Sequence, residues 1–146
     1  MGKCGTKLRK GKRWDERLML DMAKRILVVD DDPDIVLALT DRLIDLGFWV
    51  TAAGNGAEGM KIIEQGTVDG VILDLNMPVM DGMTMLTHVR QRFPRMPVII
   101  MSADENKQRL IRGTMDGATD YIVKPINFDL LVEKWMRIFW VLEANK

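Results

Sequence analysis

Cysteine is nearly absent. The single Cys4 leaves no partner for an intramolecular disulfide, and a reducing cytoplasm is the simplest setting for such a chain. Long apolar runs are missing too. Those present, such as Ile138 to Leu142, fall far below the roughly 18 residues a membrane-spanning helix needs. The first residues lack the apolar stretch of a secretory signal. Net charge is also absent, with 21 Lys and Arg against 21 Asp and Glu. On its face that excludes a dedicated binder of nucleic acid or of a membrane surface. A length of 146 residues suits one domain and is too short for two ordinary ones. With 47% hydrophobic and 29% charged residues, a packed core is expected and wholesale disorder is not.

The neutrality is a sum of two opposites. Residues 1–25 carry nine Lys/Arg and three Asp/Glu, and residues 26–146 carry twelve and eighteen. A leader of charge +6 therefore precedes a domain of charge −6. The chain divides into a basic leader over 1–23, disordered or foreign to the native protein, a folded unit over 24–143 and a short tail over 144–146. Within the leader, Trp14, Leu18 and Met22 are spaced by four. On a short helix they would share one face, able to dock on the domain or on a partner.

From residue 26 the pattern is regular. Ile26-Leu27-Val28-Val29 reads as a buried strand and ends in Asp30-Asp31-Asp32. Asp32-Pro33 supplies a helix cap and a first-turn proline. Ile35, Val36, Leu39, Leu43 and Leu46 follow at helical spacing until Gly47 stops the helix. Further strands are expected over 48–53, 68–74, 97–102 and 121–123, and further helices over 57–65, 82–93, 104–115 and 127–143. Strict alternation predicts an α/β fold: a doubly wound, five-stranded parallel sheet of order 2-1-3-4-5, flavodoxin-like, with helices on both faces.

Such sheets bind ligands beyond the carboxyl ends of the strands, where strand order reverses. Here that point falls between the first and third strands. The residues at the neighbouring strand ends are Asp30, Asp31 and Asp32, then Asp74, Ser102 and Lys124. Clustered carboxylates repel one another unless a cation neutralises them. Hard oxygen ligands with room for water suit Mg²⁺. A carboxylate beside that ion can attack phosphorus to give an acyl phosphate, with the ammonium and hydroxyl meeting the phosphoryl oxygens.

Four segments carry a family resemblance: Ile26 to Asp32, Leu73 to Gly82, Met101-Ser102-Ala103, and Asp120 to Pro125. With these in order at strand ends, residues 24–143 resemble the receiver domain of two-component response regulators, of the stand-alone chemotaxis-regulator kind. The resemblance implies a signalling receiver rather than an enzyme, with intrinsic autophosphorylation and autodephosphorylation chemistry. It makes Asp74 the phosphoacceptor, and Asp30 and Asp31 the acidic pair for Mg²⁺, with Asp31 a direct ligand and Asp30 holding metal-bound water. It gives Asn76 a backbone carbonyl on the metal, and gives Ser102 and Lys124 contacts to phosphoryl oxygens. Tyr121 becomes the aromatic that turns inward when Ser102 moves toward the phosphate. The Lys124-Pro125 bond is expected to be cis. Asn76 and Asp104 fall where the family tunes phosphoaspartate lifetime.

The implied donor is a sensor histidine kinase or a histidine phosphotransfer protein. The implied output is a protein target meeting the fourth helix, fifth strand and last helix, with a homodimer as another use of that face. No nucleic acid or membrane is expected as a direct partner. The chain ends just after the fifth helix, so a stand-alone receiver is expected. In the last helix Leu131, Trp135, Ile138 and Leu142 can face the sheet, and Phe128, Val132, Met136, Phe139, Trp140 and Val141 widen the apolar face.

Rival patterns exist. Gly54-Asn55-Gly56-Ala57-Glu58-Gly59 matches G-x-G-x-x-G between a strand and a helix, with Asp74 twenty residues on, as in a dinucleotide-binding fold. A plainer reading makes Asn55-Gly56 the turn and Gly59 a small residue against the sheet. Asp32-Pro33-Asp34-Ile35-Val36 fits the D-x-D-x-[TV] pattern of aspartate-nucleophile, Mg²⁺-dependent phosphatases. Those need a further acidic pair after the lysine, and only Asp129 follows closely. Met1-Gly2-Lys3-Cys4-Gly5-Thr6 satisfies a myristoylation pattern, which the resemblance to mostly bacterial receivers disfavours.

Overall fold

The computed structural model describes residues 24–75, 77, 80–103 and 118–144. The leader, Cys4, Asn76, Asp104 and the helix expected over 104–115 lie outside the described residues. Five strands form one parallel sheet: β1 (Arg25–Val29), β2 (Trp49–Ala53), β3 (Gly70–Asp74), β4 (Val98–Ser102) and β5 (Asp120–Val123), in the order β2-β1-β3-β4-β5. Four helices are described: α1 (Pro33–Asp45), α2 (Gly56–Glu64), α3 (Gly82–Arg92) and α4 (Phe128–Ala144). This is the architecture expected from the alternation of apolar runs and amphipathic segments.

Alternation along the strands builds a core on each side. Ile26, Val28, Ile72, Ile99 and Met101 point to the side covered by α1 and α4. Leu27, Val29, Val71, Leu73, Val98 and Ile100 point to the side covered by α2 and α3. Because both faces are covered, the three central strands read as continuous apolar runs.

The helices start and stop where their chemistry directs. Asp32 caps α1 by accepting the Asp34 N–H, and Pro33 opens its first turn. Asn55 caps α2 through the Glu58 N–H, and Asp81 caps α3 through the Thr84 N–H. Gly47 and Gly66, just past α1 and α2, take φ of 95° and 80°, which a side chain would resist.

The last helix departs from the expected face. Leu131 and Trp135 are buried as read from the sequence, but Met136 and Phe139 complete the buried stripe, Ile138 is only half-buried and Leu142 is exposed. The cause is where α4 crosses the sheet. Trp135 lies against Gly70, the first residue of β3, and stacks on Phe139 at 5.3 Å between ring centroids. Among the described residues after Phe139, Trp140, Val141 and Leu142 are exposed.

Gly70 exists because of that contact. A Cβ there would sit 2.7 Å from the Trp135 ring, and the ring is fully buried between neighbours that cannot yield. Gly70→Ala is expected to cost about 1–3 kcal/mol by overpacking. Urea denaturation measures it, and an unchanged midpoint would show that the Trp135 ring is free to move.

Candidate functional site

The sheet delivers the polar residues to one place. Val29 pairs with Leu73 in the β1–β3 register, so the next residue on each strand, Asp30 and Asp74, emerge side by side. Ladder bonds continue past the strand ends and fix the backbone there: Asp30 N–H to the Ala53 carbonyl at 3.1 Å, Leu75 N–H to Met101 at 3.3 Å, and Lys124 N–H to Ser102 at 3.1 Å. Asp30, Asp74 and Ser102 are the buried polar side chains among the described residues.

Carboxylate oxygens of Asp30, Asp31 and Asp74 lie within 4.8 Å of one another, with Asp31 exposed. The Lys124 ammonium stands 3.2 Å from Asp74 Oδ1 and 3.5 Å from Asp30 Oδ2. The Asp32 backbone N–H donates to Asp30 Oδ1 at 2.9 Å. Burial pushes the Asp30 carboxyl above its ordinary range; the Asp32 N–H bond lowers it, the Asp74 charge raises it further and Lys124 lowers it. Three carboxylates thus meet one ammonium. The donor set is all hard oxygen with one open, exposed side, which suits a small divalent cation.

Ser102 ends β4 opposite Val123, and Tyr121 pairs with Ile100, so both side chains face the α2–α3 side of the sheet, one diagonal step apart. Tyr121 is half-buried, with the Lys134 ammonium 5.9 Å from its ring centroid. The Lys124-Pro125 bond is cis. Of the residues expected in the site, Asp30, Asp31, Asp74 and Lys124 are brought together, Ser102 and Tyr121 adjoin them through β4 and β5, and Asn76 lies outside the described residues.

Gly82 was legible only as a helix start. A Cβ there would lie 2.4 Å from the Asp74 carbonyl oxygen and 2.6 Å from Leu75 Cα, and the Gly82 N–H donates to the Leu75 carbonyl at 3.0 Å. It clamps the loop after β3 against the Asp74 backbone. The available signal was a glycine at the first helical position, where a better helix former costs nothing unless space is lacking.

The rival patterns have structural explanations. Glu58 accepts the Gly54 N–H at 3.1 Å and Asn55 accepts the Glu58 N–H at 2.9 Å. This capping box puts a carboxylate where a pyrophosphate would sit. A Cβ on Gly59 would meet Met85 Cε at 2.8 Å, so that glycine serves packing. The turn also follows edge strand β2, with β1 between it and Asp74 on β3. In the phosphatase pattern Asp32 is committed as the α1 cap, and Asp129 pairs with Arg42 of α1 at 2.9 Å.

Comparison with known proteins agrees. The family model for the response regulator receiver domain matches residues 26–135. The transcriptional regulatory protein PrrA of Mycobacterium tuberculosis is 38% identical over 110 residues, 75% of this chain and 47% of the relative. This chain thus spans about half the length of that relative. A CheY-like receiver domain protein of Methanospirillum hungatei superposes with a TM-score of 0.76 at 30% identity, over 84% of this chain and 98% of that one. The response regulator TrrA of Thermotoga maritima, solved with Mg²⁺ and BeF, gives 0.70 at 35% identity, over 79% and 98%.

The Asp30 shift has a measurable sign. A carboxyl raised in the folded state binds its proton more tightly there than in the unfolded chain. Its contribution to stability is fully present below the ordinary aspartate value of 3.8 and is lost as pH rises through the raised value. Asp30→Asn keeps an oxygen for the Asp32 N–H and removes the charge. Without divalent cations the variant is expected to melt above the wild type at pH 7, with the gap closing toward pH 4. Thermal scans at the two pH values decide this, and a variant less stable at pH 7 contradicts it.

Proposed function

The chain belongs to the response regulator receiver family, and we propose that it accepts a phosphoryl group from a phosphohistidine onto Asp74 and signals through the resulting change of shape. The observation that carries this is the meeting of three carboxylates and the Lys124 ammonium at the β1–β3 switch point.

In this reading an Asp74 carboxylate oxygen attacks phosphorus, a P–O bond forms, and the P–N bond breaks with its electron pair leaving on the imidazole. Hydrolysis of the acyl phosphate by water later restores Asp74. Lys124, at 3.2 Å from Asp74, orients the nucleophile and faces the incoming phosphoryl oxygens. Ser102 donates its hydroxyl to another phosphoryl oxygen. Asp30, Asp31 and Asp74, with the Asn76 carbonyl, would hold Mg²⁺. Such an ion, when bound, would supply charge neutralisation for the transferring group. The acidic excess at the site and the Mg²⁺ in the TrrA structure support this choice.

Charge added at Asp74 then biases two conformations. Ser102 and Tyr121 share a sheet face, which supports a coupled movement of the two. The donor is a histidine kinase or phosphotransfer protein in the cytoplasm. The output is a protein target, or a second copy, meeting the 104–115 segment, β5 and α4. In this reading the receiver unit comprises residues 24–143, and the basic leader over 1–23 precedes it in sequence. No helix among the described residues is long and apolar enough to cross a membrane.

Incubation with acetyl phosphate and Mg²⁺ tests the assignment. Intact mass should show one added phosphoryl group, mapping to the peptide that contains Asp74, and Asp74→Asn should take up none. Undiminished labelling of that variant, or a label mapped to Asp32, would transfer the role to another carboxylate.

A further inference from the structure

Large apolar side chains gather, uncovered, at the end of α4. Trp140, Val141 and Leu142 keep 51%, 49% and 43% of their surface exposed. Successive residues of a helix point about 100° apart. Three exposed in a row therefore include directions that would face the sheet if a sheet were there. Trp135 already lies over Gly70 at the start of β3, so the turn after Phe139 projects past the strands. An exposed apolar patch of this kind is a surface that another segment or molecule can cover.

The chain's own leader enters beside this overhang. It joins the fold at Lys24, whose ammonium lies 5.8 Å from the Phe139 ring centroid and whose carbonyl accepts the Trp49 N–H at 2.9 Å. Phe139 immediately precedes Trp140. Met22 is two residues from Lys24, a reach of at most about 7 Å, and Trp14 is ten residues away, at most about 35 Å. Between them Trp14, Leu18 and Met22 recur at every fourth position, the spacing that lines apolar groups along one helix face. Farther out, residues 3–13 hold six Lys/Arg and no acid, and residues 26–146 carry a charge of −6, so long-range electrostatics favour association of the two. Tethering supplies an effective concentration on the order of millimolar, which lets a small apolar contact close.

We propose that residues 14–22 of this chain, through Trp14, Leu18 and Met22, cover the apolar overhang of Trp140, Val141 and Leu142 at the end of α4. The docked leader occupies one end of α4 and any partner for that end must displace it. The contact does not depend on phosphotransfer at Asp74.

Hydrogen exchange on the full chain tests this. In Leu18→Glu/Met22→Glu, which alters no residue of the folded core, the amides of 139–142 should exchange about tenfold faster than in the wild type. Those of β3 and β4 should be unchanged. Equal rates at 139–142 overturn the proposal. A second measurement identifies the occupant. Leu18→Cys with Val141→Cys, in a Cys4→Ser background, should form an intramolecular disulfide in dilute solution. A disulfide formed only between chains would make a second copy the cover, and no disulfide would leave the leader undocked; either overturns the proposal.

Discussion

Everything at this site depends on the repulsion between carboxylates that a parallel sheet forces together. Asp30 and Asp74 emerge from adjacent strands one register step beyond the Val29–Leu73 pair. Neither can move away, because ladder bonds hold the backbone on both sides of them. Their charges are screened little by solvent, since both are buried. Lys124 offsets part of the excess by contacting both. Three carboxylates still face one ammonium, and a divalent cation would offset the excess.

The packing keeps that arrangement rigid. Gly82 lets the loop after β3 lie against the Asp74 backbone, closer than any side chain would allow. Gly59 lets α2 approach Met85 of α3 and Val29 of β1. On the opposite side Trp135 and Gly70 lock α4 to the start of β3. Each of these contacts fixes a strand that carries a site residue. In the proposed reading, a site held so tightly passes its signal on through Ser102 and Tyr121, which share one sheet face at the β4–β5 side.

Much of this was legible in the residues. Apolar runs of three or four residues ending in Asp30, Asp74, Ser102 and Lys124 mark strand ends, and the alternation with helices dictates the order that makes those ends neighbours. The caps at Asp32, Asn55 and Asp81 were visible because short polar side chains before an amphipathic run have one common use. What stayed hidden depended on distances between elements. Nothing in the local pattern says that Gly82 touches Asp74, or that α4 outruns the sheet so that Leu142 faces solvent while Met136 and Phe139 are buried. Helical periodicity places residues on a face but does not say where the opposing surface ends. In the G-x-G-x-x-G pattern, likewise, nothing local says that Gly59 is needed for its close contact with Met85.

The acidic site gathers more negative charge than Lys124 balances, and a divalent cation would complete it. Thermal unfolding at pH 7 with increasing Mg²⁺ measures that directly. Ligand binding to the folded state alone adds about 2.7 kcal/mol at 100 times Kd, so the melting temperature should climb steadily with the logarithm of Mg²⁺ concentration above Kd, and Asp31→Ala should flatten the response. A melting temperature indifferent to Mg²⁺ across the millimolar range would mean that Lys124 alone balances the carboxylates, and the central claim would fail.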